Sequence, residues 1–191
     1  DITLPEGIDG DFYLLVFTDS NLEGNSSITT VELRNEDGID SVLARVPEFR
    51  DEGDNVTYRA VPVTLTPPPD LQVTAVSAPQ HATTGQMLSL QYTVSNVGPG
   101  ATPPTQSTWD EYIYLSRDAF LDLDADRYLA VNSRSEGLAA NGNYGVSTAV
   151  RLPRDLTGPF YVFVIVDPSQ PYALRGQVFE LNQENNNARA S

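Results

Sequence analysis

The sequence predicts an all-β protein: an immunoglobulin- or fibronectin-like β-sandwich of about seven strands, preceded by a partial copy of the same repeat. Three observations support this fold class. Apolar residues alternate over short stretches, which is the periodicity of strands rather than of helices. Clusters of Gly, Pro, Asn and Asp separate these stretches and supply the residues that turns require. The third observation is an internal repeat that relates the two ends of the chain.

The predicted sandwich begins at residue 70, and its strands can be assigned in order along the chain. The seven apolar stretches are residues 71–75, 88–94, 109–115, 128–131, 146–152, 160–166 and a last strand that begins at 177–181. The sixth stretch is apolar at every position, so we expect a central strand that is covered on both faces. In the third stretch, Trp109 alternates with Ile113 and Leu115, which places the tryptophan in the core.

The two ends of the chain carry the same sequence block. Residues 4–19 (LPEGIDGDFYLLVFTD) align without gaps on residues 152–167 (LPRDLTGPFYVFVIVD), and a shorter match relates residues 48–55 to residues 180–187. The alternative explanation is that strand chemistry has converged in two unrelated segments.

From the repeat we predict that residues 1–66 are the C-terminal part of a preceding β repeat and that residues 70–191 are the whole of the next. The three prolines at residues 67–69 are stiff and extended, and they predict a linker. Apolar runs at residues 28–33, 42–46 and 56–65 belong to the first copy. Because bare strand edges invite pairing, we expect this copy to form a small incomplete sheet or to complete itself against a neighbouring molecule.

The composition excludes several classes of function. The 191 residues include 26 acidic residues and 11 basic residues, and the formal net charge is −15. All 11 basic residues are arginine. Without clustered cations, we exclude nucleic-acid binding and attraction to an anionic membrane. The absence of cysteine excludes disulfides and thiolate chemistry. No apolar run approaches the roughly 20 residues that span a bilayer, and we expect the chain, which begins at Asp1, to be a piece of a longer protein.

Four segments in a fixed order relate the second unit to a known family. They are PDLQVTAVSAP (69–79), TGQMLSLQYTVSNVGPGAT (84–102), STWDEYIYLSRDAFLDLDADRYLA (107–130) and LPRDLTGPFYVFVIVDPS (152–169), followed by FELNQENNNA. In this order they resemble the CARDB family, cell-adhesion-related domains of bacteria and archaea that occur as tandem repeats in long surface proteins. The resemblance implies an extracellular or cell-surface module without enzymatic activity. Its implied partners are neighbouring repeats and an unknown cell-surface or glycan target.

Few residues are candidates for chemistry. His81 is the only histidine and lies in a polar loop without a nucleophile motif, so we interpret it as a loop residue. Carboxylate pairs for glycoside hydrolysis stay open, because their separation in space is not readable from the sequence. We therefore predict a non-catalytic structural or adhesive repeat. The alternative is an accessory carbohydrate-binding module of a secreted hydrolase.

Two further patterns are candidates for ligand binding. Tyr112 and Tyr114 lie on the strand face opposite Trp109, where aromatic rings can stack on sugars. The asparagine run at residues 185–187 offers amides to a ligand, but such runs more often form turns by bonding their own backbone. We interpret the asparagine run as structural.

An acidic segment after the third strand predicts a calcium site, and calcium is the one cofactor that the sequence predicts. Calcium binds about six to eight oxygen ligands, and alternate carboxylates on a curved loop can converge on one ion. Three of the aspartates have the spacing of the first EF-hand ligands, but Arg127 stands where glycine is required and Ser133 where the bidentate glutamate belongs. The alternative is a solvated acidic loop whose repulsion is screened by salt. The candidate ligands are Asp118, Asp122, Asp124 and Asp126.

Overall fold

The computed structural model describes residues 2–17, 56–169, 175–181 and 187–190. The chain divides into two compact units, Asp1–Leu65 and Thr66–Ser191. The described strands of the first unit are β1 (Gly10–Phe17) and β2 (Val56–Val63). Those of the second unit are β3 (Leu71–Ser77), β4 (Met87–Asn96), β5 (Trp109–Ser116), β6 (Arg127–Arg134), β7 (Asn143–Arg151), β8 (Tyr161–Val166) and β9 (Asn187–Ala190).

The first unit contains an antiparallel ribbon. β1 and β2 pair along their whole length, from Gly10 opposite Val63 to Phe17 opposite Val56. Many of its apolar side chains are exposed, including Tyr13 at 61% and Tyr58 at 71%. The predicted apolar runs at residues 28–33 and 42–46 lie outside the described residues. The assignment of this unit to a preceding repeat stays a prediction.

The seven described strands of the second unit form an antiparallel β-sandwich, which confirms the predicted fold class. One sheet has the strand order β3-β4-β7, and the other has the order β6-β5-β8-β9. Alternating side chains of both sheets fill the space between them. The fully buried apolar side chains of this core are Leu71, Leu90, Val94, Trp109, Ile113, Val164, Val166 and Val178.

The strands follow the predicted alternation with one local exception. In β4, the residues from Leu88 to Val94 alternate between buried and exposed, and β8 is buried on both faces as expected for a central strand. In β3, a bulge between Val73 and Ala75 shifts the register. As a result Val76, rather than Ala75, packs against the core.

The predicted seventh strand is wrong in position. Residues 177–181 are irregular, and the last described strand is β9. The reason is that side chains take the backbone donors there. The carboxylate of Asp167 accepts the N–H groups of Gln177 (2.7 Å) and Val178 (2.8 Å), and Gln106 Oε1 accepts that of Phe179 (2.8 Å). Backbone donors bonded to side chains do not form a strand ladder.

The three prolines that precede β3 pack on the second unit. The Gly100 N–H donates to the Pro68 carbonyl (3.1 Å), and the Val97 N–H donates to the Asp70 carbonyl (2.8 Å). A Cβ at Gly100 would overlap the carbonyl oxygen of Pro67. The boundary between the compact units therefore lies before the proline segment, between Leu65 and Thr66.

The described residues contain a single helical element, the three-residue 3-10 turn Pro104–Gln106. None of the described residues form a helix that is long and apolar enough to cross a membrane.

Candidate functional site

The acidic segment between β5 and β6 forms a tight turn that its own aspartates stabilise. Asp118 Oδ1 accepts the N–H of Phe120 (2.8 Å), and Asp122 Oδ1 accepts the N–H of Asp124 (3.0 Å). Asp126 Oδ2 in turn accepts the N–H of Asp122 (2.8 Å). Aspartate favours such turns because its short side chain reaches the backbone two residues further on.

These bonds decide how the predicted calcium ligands are placed. Asp118, Asp122 and Asp124 are exposed, and Asp126 is half-buried. Within the part of the chain that the structure describes, no three Asp, Glu or His side chains form a group able to hold a metal ion. The structure brings the Asp126 carboxylate to the backbone of Asp122 but does not gather the four carboxylates into a cage. Calcium binding stays a prediction.

The predicted aromatic candidates lie on the outer face of the four-stranded sheet, opposite Trp109. These candidates are Tyr112 and Tyr114. Tyr128 on β6 packs edge to face against the two rings, and its ring centroid is 5.9 Å from that of Tyr112 and 5.7 Å from that of Tyr114. Tyr114 is only 9% exposed, whereas Tyr128 is 50% exposed. Burial raises the pKa of the Tyr114 hydroxyl, and its neighbouring phenols raise it further.

This cluster differs from a flat sugar-binding platform. The rings pack against one another, and Tyr128 presents the larger exposed surface. The sequence reasoning did not single out Tyr128, although it lies on the predicted fourth strand. Sugar binding at Tyr112 stays a prediction. The other aromatic expectation is confirmed, because Trp109 is buried in the core with 1% of its surface exposed.

A buried acid lies between the two sheets, and the sequence reasoning missed it. Glu111 on β5 is 2% exposed. Its carboxylate accepts hydrogen bonds from the hydroxyls of Tyr92 on β4 and Tyr144 on β7. The signal in the sequence was its position, because Glu111 lies midway between Trp109 and Ile113 and therefore shares their inward face.

A second layer of contacts surrounds the two tyrosines. The Asn132 amide donates to the Tyr92 hydroxyl (2.7 Å), and the Trp109 indole donates to the Tyr144 hydroxyl (3.0 Å). The Arg134 guanidinium lies over the Tyr144 ring, 3.9 Å from its centroid. Each buried polar atom thereby gains a partner, which offsets the cost of removing it from water.

The electrostatics of this network favour a structural role. Burial raises the pKa of the Tyr92 and Tyr144 hydroxyls above the ordinary value, and the hydrogen bond to Glu111 raises each further. Both phenols therefore remain protonated donors over the whole neutral range. The arrangement joins the two sheets through protonated donors.

Buried polar side chains also stabilise the region where the chain enters β3. Asn96 Oδ1 accepts the N–H groups of Asp70 (2.9 Å) and Gly98 (3.0 Å), and its amide donates to the Gly100 carbonyl (2.7 Å). Glu180 Oε1 accepts the Leu71 N–H at 2.5 Å. These side chains form hydrogen bonds with backbone groups of their own unit and thereby stabilise the fold.

One described cleft lies between two loops of the second unit. Its volume is about 410 Å³, and the loops that precede β4 and β8 form its walls. Core residues such as Leu88, Leu115 and Val162 form its floor. His81 lies in the first of these loops and is exposed, as expected for a loop residue.

The fold defines a β-sandwich module. The buried polar groups described above form hydrogen bonds within this module and stabilise it. The CARDB family model matches residues 68–190, and the chain therefore belongs to the CARDB family, an adhesion-related and non-catalytic domain family. No curated protein sequence matches the chain.

The solved structures that are similar to this chain include two of the CARDB domain of the PF1109 protein from Pyrococcus furiosus. The first is a crystal structure in complex with di-metal ions, with 16% identity and a TM-score of 0.44. That alignment covers 64% of this chain and 84% of the other. The second is a solution NMR structure, with 20% identity and a TM-score of 0.41, covering 63% of this chain and 90% of the other.

Proposed function

We propose that this chain is a non-catalytic structural and adhesive repeat of a large extracellular or cell-surface protein. The observation that carries the proposal is that each unit contains an antiparallel strand pair whose first strand lies in the repeated sequence block. β1 belongs to the block that aligns with β8, and each strand pairs antiparallel with the last described strand of its own unit. Successive units with comparable strand pairs are what a tandem array would contain.

Hydrogen bonds inside the second unit support a role in which the repeat resists mechanical tension. Glu111 connects the two sheets, and Asn96 fastens the chain where it enters β3. The Pro68 carbonyl of the proline segment accepts a hydrogen bond from the Gly100 N–H. Because these bonds must break before the entry segment can extend, the segment resists unfolding under tension, which suits a repeat of a surface array.

Single-molecule force spectroscopy on the intact chain, tethered at both termini, tests this resistance to mechanical tension. We expect one cooperative unfolding event for Thr66–Ser191, with a gain in contour length on the order of 400 Å from the extended length of the chain. A second unit that extends gradually without a distinct event would contradict the proposal.

A glycan array tests the adhesive part and separates the proposal from an accessory carbohydrate-binding module. Glycan binding that is lost in Tyr112→Ala would favour the accessory module. The matched control is Phe120→Ala, which removes an aromatic ring that is 80% exposed on the neighbouring turn. We expect the intact chain to bind cell-surface material without depending on Tyr112.

A further inference from the structure

Trp109, Tyr144 and Glu111 form a continuous hydrogen-bonded chain inside the second unit. The Trp109 indole N–H donates to the Tyr144 hydroxyl (3.0 Å), and that hydroxyl donates to the Glu111 carboxylate. The two aromatic rings are also close, with centroids 6.4 Å apart and planes inclined by 42°. Because the chain has no cysteine, indole and phenol rings are its main donors of single electrons.

The hydrogen bonds suit the transfer of an electron from Tyr144 to an oxidised Trp109. A phenol that loses an electron becomes strongly acidic, so tyrosine is oxidised most easily where a base accepts its proton. The Glu111 carboxylate is such a base, and it already accepts the hydrogen bond of the Tyr144 hydroxyl. A group within hydrogen-bond reach is correctly placed to take the proton.

Trp109 lacks a comparable base in this network. Its indole N–H donates to a neutral hydroxyl, and the proton of that hydroxyl is directed to Glu111. Only 1% of the Trp109 surface is exposed, so water has little access to the ring. An oxidised Trp109 therefore keeps its N–H proton and its positive charge, and in this form an indole is a strong oxidant.

The surroundings of Tyr144 require its electron and its proton to leave together. The Arg134 guanidinium lies over the Tyr144 ring, 3.9 Å from the centroid, and this cation disfavours a second positive charge on the ring. Burial and the hydrogen bond to Glu111 raise the pKa of the Tyr144 hydroxyl, so the phenol is protonated before it is oxidised. The favourable product is thus a neutral tyrosyl radical.

We propose that the second unit contains a one-electron relay, in which Tyr144 reduces an oxidised Trp109 and Glu111 accepts the phenolic proton. An external one-electron oxidant of the class of oxygen-derived radicals first removes one electron from the Trp109 indole. One electron then passes from Tyr144 to Trp109, which returns to neutral tryptophan. One proton passes from the Tyr144 oxygen to Glu111 Oε1, and the products are a neutral tyrosyl radical and a carboxylic acid.

The relay protects the tryptophan at the centre of the core. An indole radical that persists is converted irreversibly to ring-opened products in the presence of oxygen. A neutral tyrosyl radical is instead returned to tyrosine when a soluble reductant such as ascorbate supplies an electron and Glu111 returns the proton. Damage to Trp109 would create a polar group at a site that is almost fully buried.

Transient absorption of the intact chain tests the proposal, because Trp109 is its single tryptophan. A laser pulse at the red edge of the indole absorption, where tyrosine does not absorb, ejects an electron from Trp109. Hexaamminecobalt(III) is added to accept that electron. We expect the spectrum of the oxidised indole to be replaced by that of the neutral tyrosyl radical. In heavy water this replacement should be slower, because a proton moves with the electron.

Three variants locate the relay. In Tyr144→Phe the oxidised indole should persist at least tenfold longer, and prolonged illumination in air should convert more Trp109 to ring-opened products, as measured by mass spectrometry. Glu111→Gln removes the base at nearly constant size and should slow tyrosyl formation at least tenfold. The matched control is Tyr128→Phe, which removes a hydroxyl from the outer face of the sheet and should change neither rate. Near-ultraviolet circular dichroism establishes that each variant is folded.

Equal lifetimes of the oxidised indole in the unmodified chain and in Tyr144→Phe would overturn the proposal. If Glu111→Gln does not fold, the solvent isotope effect of the unmodified chain decides whether the proton moves with the electron, and its absence would also overturn the relay. Tyrosyl formation that is lost only in Tyr128→Phe would assign the oxidation to the outer tyrosine cluster instead. The relay requires neither an adhesive ligand nor mechanical tension, so it and the proposed function fail separately.

Discussion

The carboxylate of Glu111 on β5 accepts a hydrogen bond from the hydroxyl of Tyr144 on β7, so a buried acid joins the two sheets across the core. Tyr92 donates to the same carboxylate from β4. Taking a carboxylate out of water is costly, and hydrogen bonds to the ionised group are among the stronger ones in proteins. Removing one donor therefore leaves a buried group under-satisfied.

Loss of the Tyr144 hydroxyl should destabilise the second unit. In Tyr144→Phe, Glu111 loses a donor and the Trp109 indole loses its acceptor, so we expect the free energy of unfolding to fall by about 1–3 kcal/mol. Urea unfolding can be followed by the fluorescence of Trp109, the single tryptophan of the chain. Tyr128→Phe, at a half-exposed ring, is the control. Equal unfolding midpoints for the two variants would contradict the structural role of the Glu111 network.

Stability should also fall at alkaline pH because of the same tyrosines. The native-state pKa values of Tyr92 and Tyr144 are raised above the ordinary value, so the native state holds these protons after the unfolded chain has released them. Their contribution is complete below pH 10 and is lost as the pH rises above about 10, at about 1.4 kcal/mol per pH unit for each group. The chain has no lysine to titrate in the same range.

Unfolding measured at pH 9, 10 and 11 checks this dependence. We expect a shallower loss of stability above pH 10 in Tyr144→Phe than in the unmodified chain. Parallel curves for the two proteins would show that the Tyr144 hydroxyl does not contribute to the alkaline loss.

A methyl group at Gly100 should release the proline segment from the second unit. In Gly100→Ala the new Cβ meets the Pro67 carbonyl, whereas at Gly145 a Cβ meets nothing within 4 Å. We expect Gly100→Ala to lower stability by about 1–3 kcal/mol and to speed proteolysis at residues 66–70. Gly145→Ala should leave both unchanged.

Limited proteolysis of the unmodified chain tests the domain boundary in the same experiment. We expect residues 70–191 to survive as a resistant fragment, because the core of the second unit lies within them. We also predict cleavage within residues 20–40, a region that lies outside the described residues. Cleavage within residues 85–165 at a comparable rate would contradict the boundary.

Sequence periodicity was sufficient for most of the fold because it reports which face of a strand is buried. The alternation in β4 and the inward position of Trp109 follow directly from it. The last strand was misplaced because residues 177–179 look like a strand, but side chains of Asp167 and Gln106 take their backbone donors. Such contacts join residues that are 10 to 73 positions apart, and local pattern does not show them.

The polar core was missed for a related reason. Glu111 occupies an inward position, but its donors lie 19 and 33 residues away on the other sheet. Alternation shows where a side chain points and not which partner it meets. The cleft could not be predicted from local pattern either, because the loops that line it are far apart in the sequence. The acidic turn was visible as a spacing of aspartates, yet its geometry depends on local backbone bonds.

Calcium binding by the turn between β5 and β6 remains a testable prediction. The described bonds use one oxygen of Asp118, Asp122 and Asp126, so a cation can still recruit the second oxygen of each. The adjacent Arg127 pairs with Asp155 at 3.0 Å and so is already engaged outside the turn. Four carboxylates within nine residues repel one another, and a divalent cation would relieve that repulsion.

We expect calcium at millimolar concentration to raise the melting temperature of the second unit relative to a chelator, and calorimetric titration to show saturable heat. Both effects should disappear in the double variant Asp122→Ala/Asp124→Ala. The control is Asp11→Ala, which removes an exposed carboxylate of the first unit. The same melting temperature in calcium and in chelator, or an equal shift in the double variant, would show that this turn is solvated and does not bind calcium.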